Sequence, residues 1–126
     1  MSFHGWGIRM AEERRRRKRI VSKELLEYEV IAMNELGVFI GNVFDISECG
    51  VGILTEIESS KNQEIGFRIS GTISGPFFEE IPFSGTIARK DEVITSNGIK
   101  RILGINFFEM IQLSERLLAL SLTAKS

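Results

Sequence analysis

The thirty residues LEYEVIAMNELGVFIGNVFDISECGVGILT, numbered 26–55, decide the fold. Leu26, Tyr28, Val30 and Ala32 alternate with Glu27, Glu29 and Ile31, the period-two pattern of a strand with one face in a core. Asn34-Glu35-Leu36-Gly37 reads as a turn, Val38 to Phe44 as a second strand, and Val51 to Thr55 as a third, short one. Between the last two lies Asp45-Ile46-Ser47-Glu48-Cys49-Gly50. Aspartate and serine side chains there bond nearby backbone, and glycine allows a positive φ or a close backbone approach.

Downstream the pattern repeats. Glu58 to Glu64 is a polar loop, and Ile65 to Ile73 a fourth strand with Ile65, Phe67 and Ile69 on one face. Gly75-Pro76 breaks it. Phe77 to Lys90 forms a fifth strand region, in which Pro82 and Gly85 argue for an edge or a bulge. Ser96-Asn97-Gly98 is a hairpin signal, and Ile99 to Phe108 a sixth strand. The period then changes: Met110, Leu113, Leu117 and Leu120, with Ile111 and Leu118 beside them, share one face of a helix. Six strands and a helix predict a mainly β fold, a six-stranded antiparallel β-barrel with a C-terminal α-helix over one end or face. Phe77, Phe78, Phe83, Phe107 and Phe108 read as core, since no basic residues interleave with them to make a nucleic-acid stacking platform.

Upstream, residues 1–11 read as a flexible lead-in and 12–126 as one domain, divided into an arm (12–19), the barrel (20–108) and the helix (110–123). The arm holds the unbroken basic run Arg14, Arg15, Arg16, Arg17, Lys18 and Arg19. From Ile20 onward the chain has 9 Lys/Arg against 15 Asp/Glu, so a net charge of −1 is a basic arm on a body of about −6. That asymmetry suits a localised anion site and argues against a broad surface for a nucleic-acid polymer.

Arg15-x-x-x-Arg19, preceded by Arg14, and Asp45-x-Ser47-x-x-Gly50, together with Gly85-x-Ile87 and Gly104-Ile105-Asn106-Phe107, resemble the PilZ family. The resemblance covers roughly residues 12–122 and implies a β-barrel receptor for the bacterial second messenger cyclic di-GMP. Arg15 and Arg19 would grip one face of the ligand, and Asp45, Ser47 and Gly50 would form the opposing wall. In that family an arginine just before the RxxxR pair goes with a stacked pair of ligands, so Arg14 implies two per site. Arg16, Arg17 and Asn106 are further candidates for contact. The resemblance also implies a downstream protein partner that receives the signal. The rival readings are a degenerate PilZ module that binds a protein and no nucleotide, and a basic-arm small barrel that binds RNA or DNA.

The chemistry of those side chains fits the implied ligand. Arginine's planar fork matches phosphate and the guanine O6/N7 edge, and it stacks on purine faces. A carboxylate accepts from guanine N–H groups, which no cation does. Other classes are poorly supported. A single cysteine, Cys49, and a single histidine, His4, build neither an internal disulfide nor a typical transition-metal site. No P-loop, nucleophile–base pattern or paired-acid signature is present, so no catalytic residue, cofactor or metal is expected. No apolar stretch approaches ~20 residues, and residues 1–13 lack a signal-peptide core. No membrane insertion is expected, and the expected location is cytoplasmic.

Overall fold

The computed structural model describes residues 19–123. Its strands are β1 (Ile20–Val21), β2 (Glu29–Asn34), β3 (Gly37–Ser47), β4 (Gly50–Thr55), β5 (Arg68–Ser74), β6 (Glu80–Thr95) and β7 (Gly98–Phe107), followed by one helix, α1 (Glu115–Thr123). All pairings are antiparallel. The order β3-β2-β5-β6-β7-β4 closes on itself through β3–β4, giving a ring of six strands, and β1 is added outside it against β3. This is the predicted barrel with its C-terminal helix. The lead-in 1–11 and the arm residues 12–18, including Arg14, Arg15, Arg16 and Arg17, lie outside the described residues.

Period-two burial fills the ring. Val30 and Ala32 from β2, Phe39 and Val43 from β3, Ile53 from β4, Ile73 from β5, Phe83 and Ile87 from β6, and Leu103 and Ile105 from β7 point into one core. Gly98 takes φ +106° after the two-residue Ser96-Asn97 loop, as the hairpin signal required. Leu113, Leu117 and Leu120 cover one end of the ring beside Ile20. Leu117 is fully buried. Leu117→Ala should therefore cost about 2–5 kcal/mol and lower the thermal midpoint by roughly 10 °C in a calorimetric scan.

Several sequence expectations are corrected. Leu26 is exposed. A 3-10 helix over Lys23–Glu27, capped by Ser22 accepting from the Glu24 N–H, buries Leu25 instead and delays β2 to Glu29. Ile65 and Phe67 precede β5 and are exposed, because Gly66 turns the chain with φ +96°. The helix starts at Glu115, not near residue 110, and Met110 is half exposed. Asp45 and Ser47 belong to β3, leaving only Glu48-Cys49 as the turn. The fifth strand runs on to Thr95.

The largest error concerns the phenylalanines. Phe83 and Phe107 are core, with ring centroids 5.7 Å apart, but Phe108 is 53% exposed, Phe77 79% and Phe78 101%. Phe77 and Phe78 stand at the β5–β6 tip with φ of 59° and 63°, a left-handed region that costs a bulky side chain ~1–2 kcal/mol per residue. The loop beneath them is braced. The Gly75 N–H donates to the Glu79 carbonyl, and Tyr28 Oη donates to Glu79 Oε1 at 2.9 Å. Gly75 lies against the Tyr28 ring where a Cβ would collide with it. Burial, then the bond to Glu79, pushes the Tyr28 phenol well above its ordinary value.

Candidate functional site

Two bulges build the site. Val43 pairs with Ile53, but Asp45, two residues on, pairs with Gly52, so Phe44 is an extra residue in β3. Likewise Ile87 pairs with Ile105 while Arg89 pairs with Gly104, so Ala88 is an extra residue in β6. Each bulge inverts the strand's phase. Asp45 and Arg89 are thereby carried out of the inward register of Val43 and Ile87. Gly52 itself pairs with Gly104. The result is one row across four strands, Asp45–Gly52–Gly104–Arg89, with two glycines between the charges.

The glycines leave a trough for the arginine. A Cβ on Gly104 would lie 2.9 Å from Arg89 Cβ and 3.2 Å from its Nε. A Cβ on Gly52 would lie 3.1 Å from Arg89 Nη2 and would overlap Asp45 Oδ1. Arg89 thus lies along the trough with Nη2 3.9 Å from Asp45 Oδ2 and Nε 3.2 Å from Asp91 Oδ2. Neither contact has hydrogen-bond geometry, so two buried N–H donors of Arg89 lack a hydrogen-bond acceptor among the described residues. Leaving a buried donor unmatched costs about 1–3 kcal/mol, a cost that an incoming acceptor would remove.

From the other side comes Arg19. Residue 20 begins β1, which pairs Ile20 with Ile46 and Val21 with Asp45. Arg19 Nη1 accordingly donates to Asp45 Oδ1 at 3.0 Å. Two guanidiniums bracket one carboxylate whose side chain is only 7% exposed. Gly50 sits beside them, with Arg19 Nη2 3.6 Å from where its Cβ would be. Gly50 is not a positive-φ residue. Glycine is needed there for strand packing, because a Cβ would run into the Ile105 carbonyl oxygen. Ser47 is buried and its Oγ accepts from the Cys49 N–H at 3.1 Å, which holds the turn and leaves its own O–H as a donor. Asn106 pairs with Gly50 on one side and Thr86 on the other, and its side chain is exposed at the rim.

The fold thus brings Arg19, Asp45, Ser47 and Gly50 together, with Asn106 adjacent. Among the described residues no group of His, Cys, Asp and Glu side chains could hold a metal ion.

The model of the PilZ domain matches residues 13–124, nearly the whole chain. The chain belongs to the PilZ domain family. No curated protein sequence matches it, but solved PilZ structures resemble its fold. The PilZ domain with c-di-GMP of YcgR from Escherichia coli superposes with a TM-score of 0.64 at 17% identity, over 89% of this chain and 92% of that one. The K. pneumonia MrkH–c-di-GMP complex gives 0.67 at 14% identity, over 87% of this chain and 53% of MrkH. The Borreliella burgdorferi PlzA protein in complex with c-di-GMP gives 0.57 at 16% identity, over 97% of this chain and 58% of PlzA. This PilZ chain therefore spans little more than half of MrkH and PlzA.

Of the residues in this row, Arg89 went unread in the sequence, Gly52 was read only as a conformational glycine and Gly104 only as part of the motif resemblance. The two glycines carried the available signal, since glycine inside a strand marks a bulge or a close approach.

Proposed function

We propose that this PilZ domain is a cyclic di-GMP receptor. The observation that carries the reading is the Asp45 carboxylate held between Arg19 and Arg89 at the end of a glycine-floored trough. A carboxylate for guanine N–H donors, beside arginine forks for phosphate and the guanine O6/N7 edge, is a complementary set for a guanine dinucleotide. The under-bonded donors of Arg89 add an acceptor requirement that a phosphate or guanine oxygen meets. Arg15 and Arg19 grip the ligand from the arm, and Asp45, Ser47 and Gly50 form the barrel wall, with Arg89 as a further contact. Arg14 recruits a second, stacked ligand. The domain acts as a cytoplasmic signalling module, not an enzyme: ordering of the arm over the ligand changes the surface offered to a downstream protein. No described helix is long and apolar enough to cross a membrane.

Titration calorimetry with cyclic di-GMP on folded protein in low salt tests the reading; saturable heat at tens of micromolar is expected, and none would sink it. Tight, steeply salt-dependent binding of random oligonucleotides would favour a nucleic-acid role instead. The same titration reads the stacked pair. Arg14→Leu should bring the molar ratio from two ligands to one, and an unchanged ratio removes Arg14 from the site.

A further inference from the structure

The exposed Phe77-Phe78 tip has a counterpart elsewhere on the same chain. A groove of about 620 Å³ opens at the start of β5, lined by Met33, Leu36, Phe67, Ile69 and Phe108, with Arg68 and Glu35 on its wall. Met33, Leu36, Phe67 and Phe108 are each 40% or more exposed. Bulky side chains are outliers at positive φ, so a backbone that holds both phenylalanines there, fully presented and braced from below, is built to offer them to something. Pre-organised aromatic anchors are what a protein interface uses at its centre.

Each of the two features carries one acidic and one basic residue at its rim. Beside the tip, Glu80 is exposed and Arg116 lies over the Phe77 ring at 4.3 Å. At the groove, Arg68 lies over the Phe108 ring at 5.8 Å and Glu35 is exposed. None of these four charges has an ion-pair partner among the described residues. We propose that the Phe77-Phe78 tip of one molecule seats in the Met33–Leu36–Phe67–Phe108 groove of a second copy, Glu80 meeting Arg68 and Arg116 meeting Glu35. A second copy is favoured over another protein because one chain carries both apolar halves and both signs of rim charge. The tip cannot fill its own groove: the two lie at opposite ends of β5, roughly 20 Å apart along the strand. The contact joins different surfaces of the two copies, so it is head-to-tail and can propagate.

Sedimentation velocity on the whole chain tests this, with thermal midpoints as the folding control. The wild type should gain average mass with concentration between about 10 μM and 1 mM. Phe78→Asp and Met33→Glu should each remain monomeric. Mixed in equal amounts they should form a 1:1 dimer and nothing larger, because one keeps an intact groove and the other an intact tip. Phe78→Asn, which tolerates the left-handed backbone better, should also be monomeric with a thermal midpoint at or above wild type, so that lost association is not misfolding. A wild type that stays monomeric to 1 mM, association that survives Phe78→Asp, or a mixture that fails to pair would each overturn the proposal.

Discussion

Arg19→Ala should weaken cyclic di-GMP binding at least ~30-fold, or about 2 kcal/mol, with little effect on stability. Arg19 is the arm arginine whose contact with the barrel is described, at 3.0 Å from Asp45. Its side chain is 38% exposed, and ion pairs of that exposure contribute ~1 kcal/mol or less, so the thermal midpoint should fall by only a few degrees. Binding, in contrast, should lose the charge-assisted fork proposed to bond phosphate or guanine. Arg19→Lys separates charge from geometry. Lysine restores the positive charge but not two parallel donors, so it should recover only a minor part of the lost affinity. Calorimetry of the three proteins decides the matter; equal affinities would take Arg19 out of the site.

Gly52→Ala should damage both stability and binding. The added methyl would occupy the place of Asp45 Oδ1 and crowd Arg89 Nη2. Strands on both sides hold Gly52, through its pairs with Asp45 and Gly104, so the carboxylate must move. The expected cost is about 1–3 kcal/mol of stability and a tenfold or greater loss of affinity. Gly66→Ala is the matching control. Among the described residues nothing lies within 4 Å of a Cβ there, but φ is +96°. It should cost ~1 kcal/mol through backbone strain alone and leave affinity unchanged. If Gly52→Ala binds as the wild type does, the trough has no part in recognition.

Much of this was legible in the chain. Six strands follow from period-two burial, the Ser96-Asn97-Gly98 hairpin from turn chemistry, and Leu113, Leu117 and Leu120 from helical period. Arg19, Asp45, Ser47 and Gly50 were legible through the motif resemblance, and the fold brings them together. Arg89 was not legible, for a definite reason. Counting by twos from Phe83, Gly85 and Ile87 puts residue 89 inside the barrel, and only the extra residue Ala88 reverses it. A bulge is a property of two strands in register, which one strand's pattern does not express. Phe77 and Phe78 misled for a related reason: hydrophobicity reports what a side chain prefers, while the braced tip fixes where it points.

The four-strand row also sets when in folding the site comes into being. Asp45 and Gly52 meet within a local hairpin, but Gly52 meets Gly104 only across some fifty residues of chain. Such closures carry a large loop entropy and make the ring a slow, non-local topology. Arg89 has no path along the trough to Asp45 until β4 has found β7. A molecule bound across that row would therefore stabilise the native state alone. It would slow unfolding and leave the refolding rate where it was.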